Sequence, residues 1–483
     1  MTDSSIVTGI TLVYLISVLW LGIRARSQSA SSLEGYAAGG RHVGVLILFF
    51  ILGAEIFSAF AFLGAPGWAY KHGAPSFYIL AYLSLAPIVI WTLGPRVAEL
   101  GRRKGYLTQG DMLADHYDSR PLGVFAGLVG VLALVPYLTI QIAGAGLLFE
   151  AATDGQVPFW LGALLAFLVT TAYVFCSGLS GIGWTNLMQG IMMVAVAWFL
   201  GLAIPERLYG GVSEMFSKIQ LQLPEYLTMP GATGMGWGAF STAILVSIVG
   251  GAMWPHLFMK FYTADSGRSL RRISVLYPLY AYLLIPLLFI GFAGILIFAD
   301  APLARPDTVL LKLVMDVVNF SPWIIGLTLS GALAAAMSTG ANLAHTAGVV
   351  LVRDVFGATF MRGASDATAV RVTRWSVVAI SMLAYVIALL NPSSLVLLLL
   401  GAVGLIVQLI PMVAGALFFE RLKRQSVMAG AAVGSLLFLL FQFALDSPYG
   451  WHPGVWGLLA NLVIVALWQA VAPKKSTPRG ATI

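Results

Sequence analysis

Runs of about twenty apolar residues recur thirteen times along this chain, and no other feature constrains its fold so strongly. They lie near 6–24, 43–70, 75–95, 121–151, 158–178, 184–204, 237–263, 273–299, 322–352, 374–390, 394–419, 427–445 and 453–472. Each is long enough to cross the hydrocarbon core of a bilayer. Lipid offers the backbone no hydrogen-bond partners, so uninterrupted runs of this length must be helical. The chain therefore reads as an all-α integral membrane protein with about 13 transmembrane helices. Only 10% of its 483 residues are charged, against about a quarter in a soluble protein.

The basic residues test the order of these spans. With the N-terminus outside, the inner loops collect Arg24, Arg26 and Arg41; Arg96, Arg102, Arg103, Lys104 and Arg120; and Lys260, Arg268, Arg271 and Arg272. Arg353, Arg362, Arg371 and Arg374 follow, then Arg421, Lys423 and Arg424, and last Lys474, Lys475 and Arg479. That places all but five of the 27 basic residues inside, the exceptions being Lys71, Arg207, Lys218, Arg305 and Lys312. Cytoplasmic loops carry such an excess, so the N-terminus is predicted outside and the C-terminus in the cytoplasm. The formal charge of +7 is thereby explained by topology, and no nucleic-acid partner is expected.

Arg24 and Arg26 follow the first apolar run instead of preceding it, so the N-terminus is expected to be a span and not a cleaved signal. The single cysteine, Cys176, excludes a disulfide framework, a Cys-ligated zinc site and an iron–sulfur cluster. Loops 205–236 and 300–321 mix both charge signs with Pro and Gly and read as extracellular caps. No loop is large enough for a fused soluble domain, and the tail "APKKSTPRGATI" is expected to be disordered.

Of twenty acidic residues, only Glu55 falls at mid-membrane in this assignment, within "GAEIFSAF". Intramembrane ionisable groups usually mark substrate or ion pathways; the structural alternative is a protonated carboxyl hydrogen-bonded inside the bundle. Gly53-Ala54 and Ser58 suggest that the helix breaks here, and irregular backbone at membrane depth survives where it lines a cavity. A second break is predicted at "VGGAMWPH", where Pro255 removes a donor and Gly250-Gly251 ease unwinding. The two interrupted spans are second and seventh in order, the spacing of two inverted five-span repeats with a midplane site. In the ninth span, "GALAAAMSTGANLAHTAG" combines small residues that allow close helix approach with the hydroxyls of Ser338 and Thr339. These either bond back to carbonyls one turn earlier or serve as hard oxygen ligands for a monovalent cation. His345 reads as a packed histidine.

Taken together, "GAPGWAYKHG", "GLSGIGWTNLMQ", "WPHLFMKFYTADSGRSLRRIS" and "AAAMSTGANL" followed by "VRDVF" resemble the sodium:solute symporter family over essentially the whole chain. The resemblance implies a LeuT-type 5+5 inverted repeat preceded by one extra N-terminal helix. Residues 1–42 would hold that helix and the first inner loop, 43–204 the first repeat, 205–236 an extracellular loop, 237–419 the second repeat, and 420–483 two further helices and a tail. It implies a sodium site made by Ala54, Phe57, Ala335, Ser338 and Thr339. Many members carry an aspartate where this chain has Asn186, and hydroxyls where it has Ala341 and Asn342, so one sodium per cycle is expected and a second site is not. The branch most similar in appearance is the bacterial monocarboxylate permeases, which implies a short acid such as lactate, pyruvate or acetate and a bacterial inner membrane. Proline, pantothenate and sugar carriers are the neighbouring branches. Substrate residues expected at the breaks and on the fourth span are Glu55, Ser58, Phe60, Ala61, Tyr137, Gln141, Gly251 and Trp254, with Glu55 and Asn186 as candidate coupling groups. No intramembrane Lys or Arg is expected to meet the carboxylate, so helix N-termini, Trp254, Gln141 or the sodium ion would do so.

The resulting expectation is a sodium-coupled symporter working by alternating access, functional as a monomer. Glu55 would either carry a proton or donate a hydrogen bond to the solute. A channel would need a ring of carbonyls or carboxylates along a pore, and a membrane enzyme a convergent catalytic set; the chain shows neither motif. A transport-like sensor would need a signalling domain that no loop can hold.

Overall fold

The computed structural model describes residues 3–26, 31–41, 43–153, 155–232, 234–390, 395–419 and 421–471, except for the side chains of 3, 4, 54, 55 and 395–398. The predicted disordered tail lies outside these residues, as do the side chains of Ala54 and Glu55.

In chain order the first helices are α1 (Asp3–Arg24), α2 (Leu33–Ala38), α3 (Val45–Ile56), α4 (Ala65–His72), α5 (Tyr78–Leu85), α6 (Pro87–Lys104) and α7 (Gln109–His116). There follow α8 (Arg120–Ala152), α9 (Phe159–Tyr209), α10 (Val212–Gln222), α11 (Trp237–Gly251), α12 (Pro255–Thr263), α13 (Gly267–Leu276) and α14 (Pro278–Ile297). The last are α15 (Val309–Lys312), α16 (Pro322–Val350), α17 (Asp366–Leu389), α18 (Leu395–Ile406), α19 (Ile410–Phe418), α20 (Arg424–Phe443) and α21 (Pro453–Val471). Among the described residues the only strand-like pairing is an isolated bridge between Val43 and Ala264.

Eleven helical stretches of the described residues are long and apolar enough to cross a membrane, two fewer than the sequence predicts. Both differences have physical causes. Helix α9 runs for 51 residues, about 76 Å at 1.5 Å per residue, more than twice the ~30 Å hydrocarbon core. It bends at Gly178, whose φ of 57° and ψ of −142° leave the helical region. The neighbouring Tyr36 ring leaves no space for a Cβ there, so glycine meets both demands. The other difference is residues 45–72, whose halves α3 and α4 are each too short to span and are joined through a bend and a π-helical turn, Phe60–Gly64.

Helix α16 is the axis of the bundle. It packs against α1, α3, α8, α9, α12 and α17, and 83% of its apolar stretch is buried, against 28% for α21 at the periphery. Its small residues bring the neighbours close: Gly331 lies against Val196, Gly340 against Leu138 and Gln141, and Gly348 against Val377. The "VRDVF" segment ends α16 in a π-helical turn, Leu351–Phe356. There Arg353 Nε reaches both carboxylate oxygens of Asp111 at 2.9 and 3.0 Å. Buried Asp354 accepts from Thr108, whose hydroxyl caps the first turn of α7. A short motif thus ties α7 to the end of the central helix.

The two long loops contain helices of their own. Residues 205–236 include α10, and 300–321 include α15. Tyr70 of α4 accepts from the Leu303 N–H at 3.1 Å, and Gly67 lies on the backbone of Pro306 and Asp307. Gly73 lies on Tyr226, so both loops fold down over the end of the first broken helix.

Candidate functional site

The site begins where two helices stop. Helix α3 ends at Ile56, and Phe57 turns out of the helical region with φ −82° and ψ 81°. That ψ points the Phe57 carbonyl away from the helical ladder. Gly53 is not the break: it sits inside α3 because Tyr280 packs on it and donates a hydrogen bond to the Phe49 carbonyl. In the second broken stretch α11 ends at Gly251, residues 252–254 form the turn, and α12 restarts at Pro255. Pro255 occupies the first helical turn, where no donor is required of it.

A helix that restarts at membrane depth leaves N–H donors without partners. After the first break, Gln141 of α8 meets this demand: its Oε1 accepts from the Ala59 N–H at 2.9 Å. Its Nε2 donates to the Tyr137 carbonyl at 3.2 Å, which fixes the orientation of the amide. Gln141 therefore caps the break and is not among the residues that line the adjacent cavity. Ser58 and Ala61 are likewise buried without lining it, and the Ser58 hydroxyl has no hydrogen-bond partner among the described residues.

That cavity has a volume of about 90 Å³, roughly the share of three water molecules in the liquid. Phe60, Tyr137, Gly251 and Trp254, all expected from the sequence, line it together with Tyr78, Tyr82, Ser247, His256 and Tyr277. The rings of Trp254, Tyr137 and His256 form a cluster with centroids 5.3 to 5.8 Å apart. His256, Tyr78, Tyr82, Tyr277 and Ser247 are not singled out by the sequence. The signal for His256 was its place directly after the helix-restarting Pro255.

On α16, Ser338 and Thr339 are fully buried. Ser338 Oγ donates to the Ala335 carbonyl at 3.1 Å, the bond back to a carbonyl one turn earlier that is the structural alternative to holding an ion. The turn is braced from two sides. Tyr173 of α9 donates to the Met337 carbonyl at 3.3 Å, and Tyr14 of α1 lies on the Met337 sulfur at 3.7 Å. Helix α3, carrying Ala54, and the π-helical turn after Phe57 both pack against α16. Asn186 is fully buried on α9, and neither of its amide atoms has a partner among the described residues. It shares its helix face with Gly183 and Gly190, which lie against Ile47, Ile51 and Phe50 of α3.

One expectation is overturned. Lys260 is not in a loop: it is on α12 and 2% exposed, with Nζ 3.0 Å from Asn342 Oδ1. The bundle interior does hold a lysine amine. His345 is a packed residue, its Nε2 2.9 Å from the Tyr36 carbonyl and its ring 5.1 Å from that of Tyr36. Among the described residues no three His, Cys, Asp or Glu side chains converge as a metal cage. Among the described side chains, the oxygen groups near the breaks are hydroxyls and an amide, and with the backbone carbonyls these suit a hard monovalent cation.

The comparisons agree with this geometry. A model of the sodium:solute symporter family matches residues 36–434. The chain is 32% identical over 473 residues to a Bacillus subtilis protein named uncharacterized symporter YhjB, with 94% of each covered. It is 24% identical over 492 residues to a monocarboxylate transport permease protein of Rhizobium johnstonii, covering 97% of this chain and 96% of that one. The solved structure of a Na+-coupled sialic acid symporter, in a substrate-bound outward-open state, has the same fold. The TM-score is 0.81 at 18% identity, with 97% of this chain and 98% of that one covered.

Proposed function

The chain belongs to the sodium:solute symporter family, and on that premise we propose that it carries a short monocarboxylate into the cell with one sodium ion per cycle. The observation that carries this reading is a small cavity at the meeting of two interrupted helices, with α16 packed beside the first break. A volume of about 90 Å³ suits a solute of a few heavy atoms such as lactate, pyruvate or acetate. The cavity wall includes the N-terminal turn of α12, with His256 and Leu257, and a helix N-terminus favours an anion. The monocarboxylate name of the Rhizobium relative supports the same solute class.

In this reading sodium is held by the carbonyls of Ala54, Phe57 and Ala335 and the hydroxyls of Ser338 and Thr339. Phe60, Tyr137, Gly251 and Trp254 surround the solute, while Gln141 holds the break in shape. Sodium binding ties α3 to α16, the solute then binds beside it, and the bundle rocks to release both inward. Dividing α9 at Gly178 and counting 45–72 as one broken span gives thirteen crossings. The second and seventh are the interrupted ones, as two five-span repeats require. The charge distribution supports an N-terminus outside and a C-terminus in the cytoplasm, and the bacterial relatives support an inner-membrane location.

The test is a thermal-shift screen of the purified protein against short monocarboxylates, proline, pantothenate and sugars, in sodium and in choline salts. Ligands that bind the native state raise its apparent stability. Stabilisation by a short monocarboxylate in sodium alone is the expected result. Stabilisation by proline, pantothenate or a sugar instead would reject the solute, and stabilisation independent of sodium would reject the coupling.

A further inference from the structure

Lys260 links the helix that walls the cavity, α12, to α16. On its own helix, His256, Leu257 and Phe261 form part of the cavity wall, and Lys260 follows His256 by one helical turn. Across the bundle its ammonium donates to Asn342 Oδ1 at 3.0 Å. An ammonium only donates, so the amide is pinned with Nδ2 turned the other way, where it reaches the Ser338 carbonyl at 3.3 Å. One side-chain amide thus separates the amine from the turn that carries Ser338 and Thr339. Burying a charge at this depth is costly, and such residues face the bundle interior where they act on ions or substrates.

We propose that Lys260 is a fixed cation of the transport site, weakening sodium binding at the α16 turn and favouring a monoanion in the cavity. The proposal rests on the sodium-coupled reading above and adds the residue that sets its charge balance. Like charges repel strongly where the dielectric is low, and salt screens buried charges poorly. The amine therefore supplies in the protein the positive charge that a second bound cation would bring. Its removal has effects of opposite sign on the two ligands, whereas a merely structural lysine would weaken both together.

The experiment measures equilibrium binding of radiolabelled sodium, and of radiolabelled lactate in saturating sodium, to the full-length protein in nanodiscs. Lys260→Met should bind sodium about tenfold tighter and lactate about tenfold weaker than wild type, each tenfold step being about 1.4 kcal/mol. Lys260→Gln should behave like Lys260→Met, and Lys260→Arg, which keeps the charge, should stay close to wild type for both ligands. Unchanged or weaker sodium binding in both neutral variants overturns the proposal, as does joint loss of both ligands that Lys260→Arg fails to restore. A wild type that binds no sodium overturns the symport reading and this inference with it. A wild type that binds sodium but not lactate overturns the anion half, and the variants still decide the sodium half.

Discussion

In the proposed sodium site Ser338 and Thr339 are hydroxyls without a carboxylate beside them, so each would supply a sizeable share of the binding. Replacing both with Ala should reduce sodium-stimulated uptake at least about tenfold while sodium-independent leak stays constant; undiminished stimulation would remove them from the site. Gln141 acts through the Ala59 N–H, and a buried donor left unpaired costs about 1–3 kcal/mol. Gln141→Leu should therefore lower the melting temperature and the uptake rate together, and Gln141→Glu, which keeps an acceptor, should recover most of both. At this scale the sequence was legible for the aromatic residues Phe60, Tyr137 and Trp254, which do line one cavity at the breaks. It misplaced Lys260, because a positive charge near a span end reads as a loop residue until packing shows α12 buried against α16. It also assigned Gln141 to the solute, since nothing in a sequence shows which backbone donor an amide will find.

Among the helices, the breaks were the legible feature and their exact positions were not. The first falls at Phe57 and Ser58, a turn later than Gly53, because that glycine is used for contact with Tyr280. The sequence ends a span at residue 178 and starts the next at 184, and the structure turns that boundary into a bend at Gly178 within one continuous helix. Gly178→Ala meets both an unfavourable φ and the Tyr36 ring. Gly105→Ala meets only the φ of 75°, with open space around it, which costs about 1–2 kcal/mol. Thermal melting should rank Gly178→Ala well below Gly105→Ala; equal losses would mean that the Tyr36 contact is unimportant. His452, just before α21, shows how a helix start is held. Its Nδ1 accepts from the Gly454 N–H at 3.0 Å, and its own N–H donates to Thr242 at 2.8 Å. Burial pushes its pKa down from 6.5 to about 4. Because the folded value is depressed, the neutral ring stabilises the fold fully above about pH 6.5, and that stability is lost as pH falls through about 4. Stability measured across that range should fall more steeply in wild type than in His452→Asn, and parallel curves would exclude His452 as the group responsible.

For the whole molecule, hydropathy and charge predicted a multi-span helical protein, and the residues that miss the span criterion do so through a long bent helix and a broken one. The inside–outside assignment is open to direct test. In a Cys176→Ser background, Glu225→Cys should react with an impermeant maleimide from outside intact cells, and Arg268→Cys only after permeabilisation; the reverse pattern would invert the topology. The central claim is that an inward sodium gradient drives solute accumulation through the turn at Ser338 and Thr339. The most direct measurement is uptake of radiolabelled lactate into proteoliposomes containing the purified protein. An inward sodium gradient should concentrate lactate above the external level, and collapsing the gradient or replacing Ser338 and Thr339 with Ala should abolish the accumulation. Lactate that only equilibrates, or that accumulates equally well without a sodium gradient, would contradict the account.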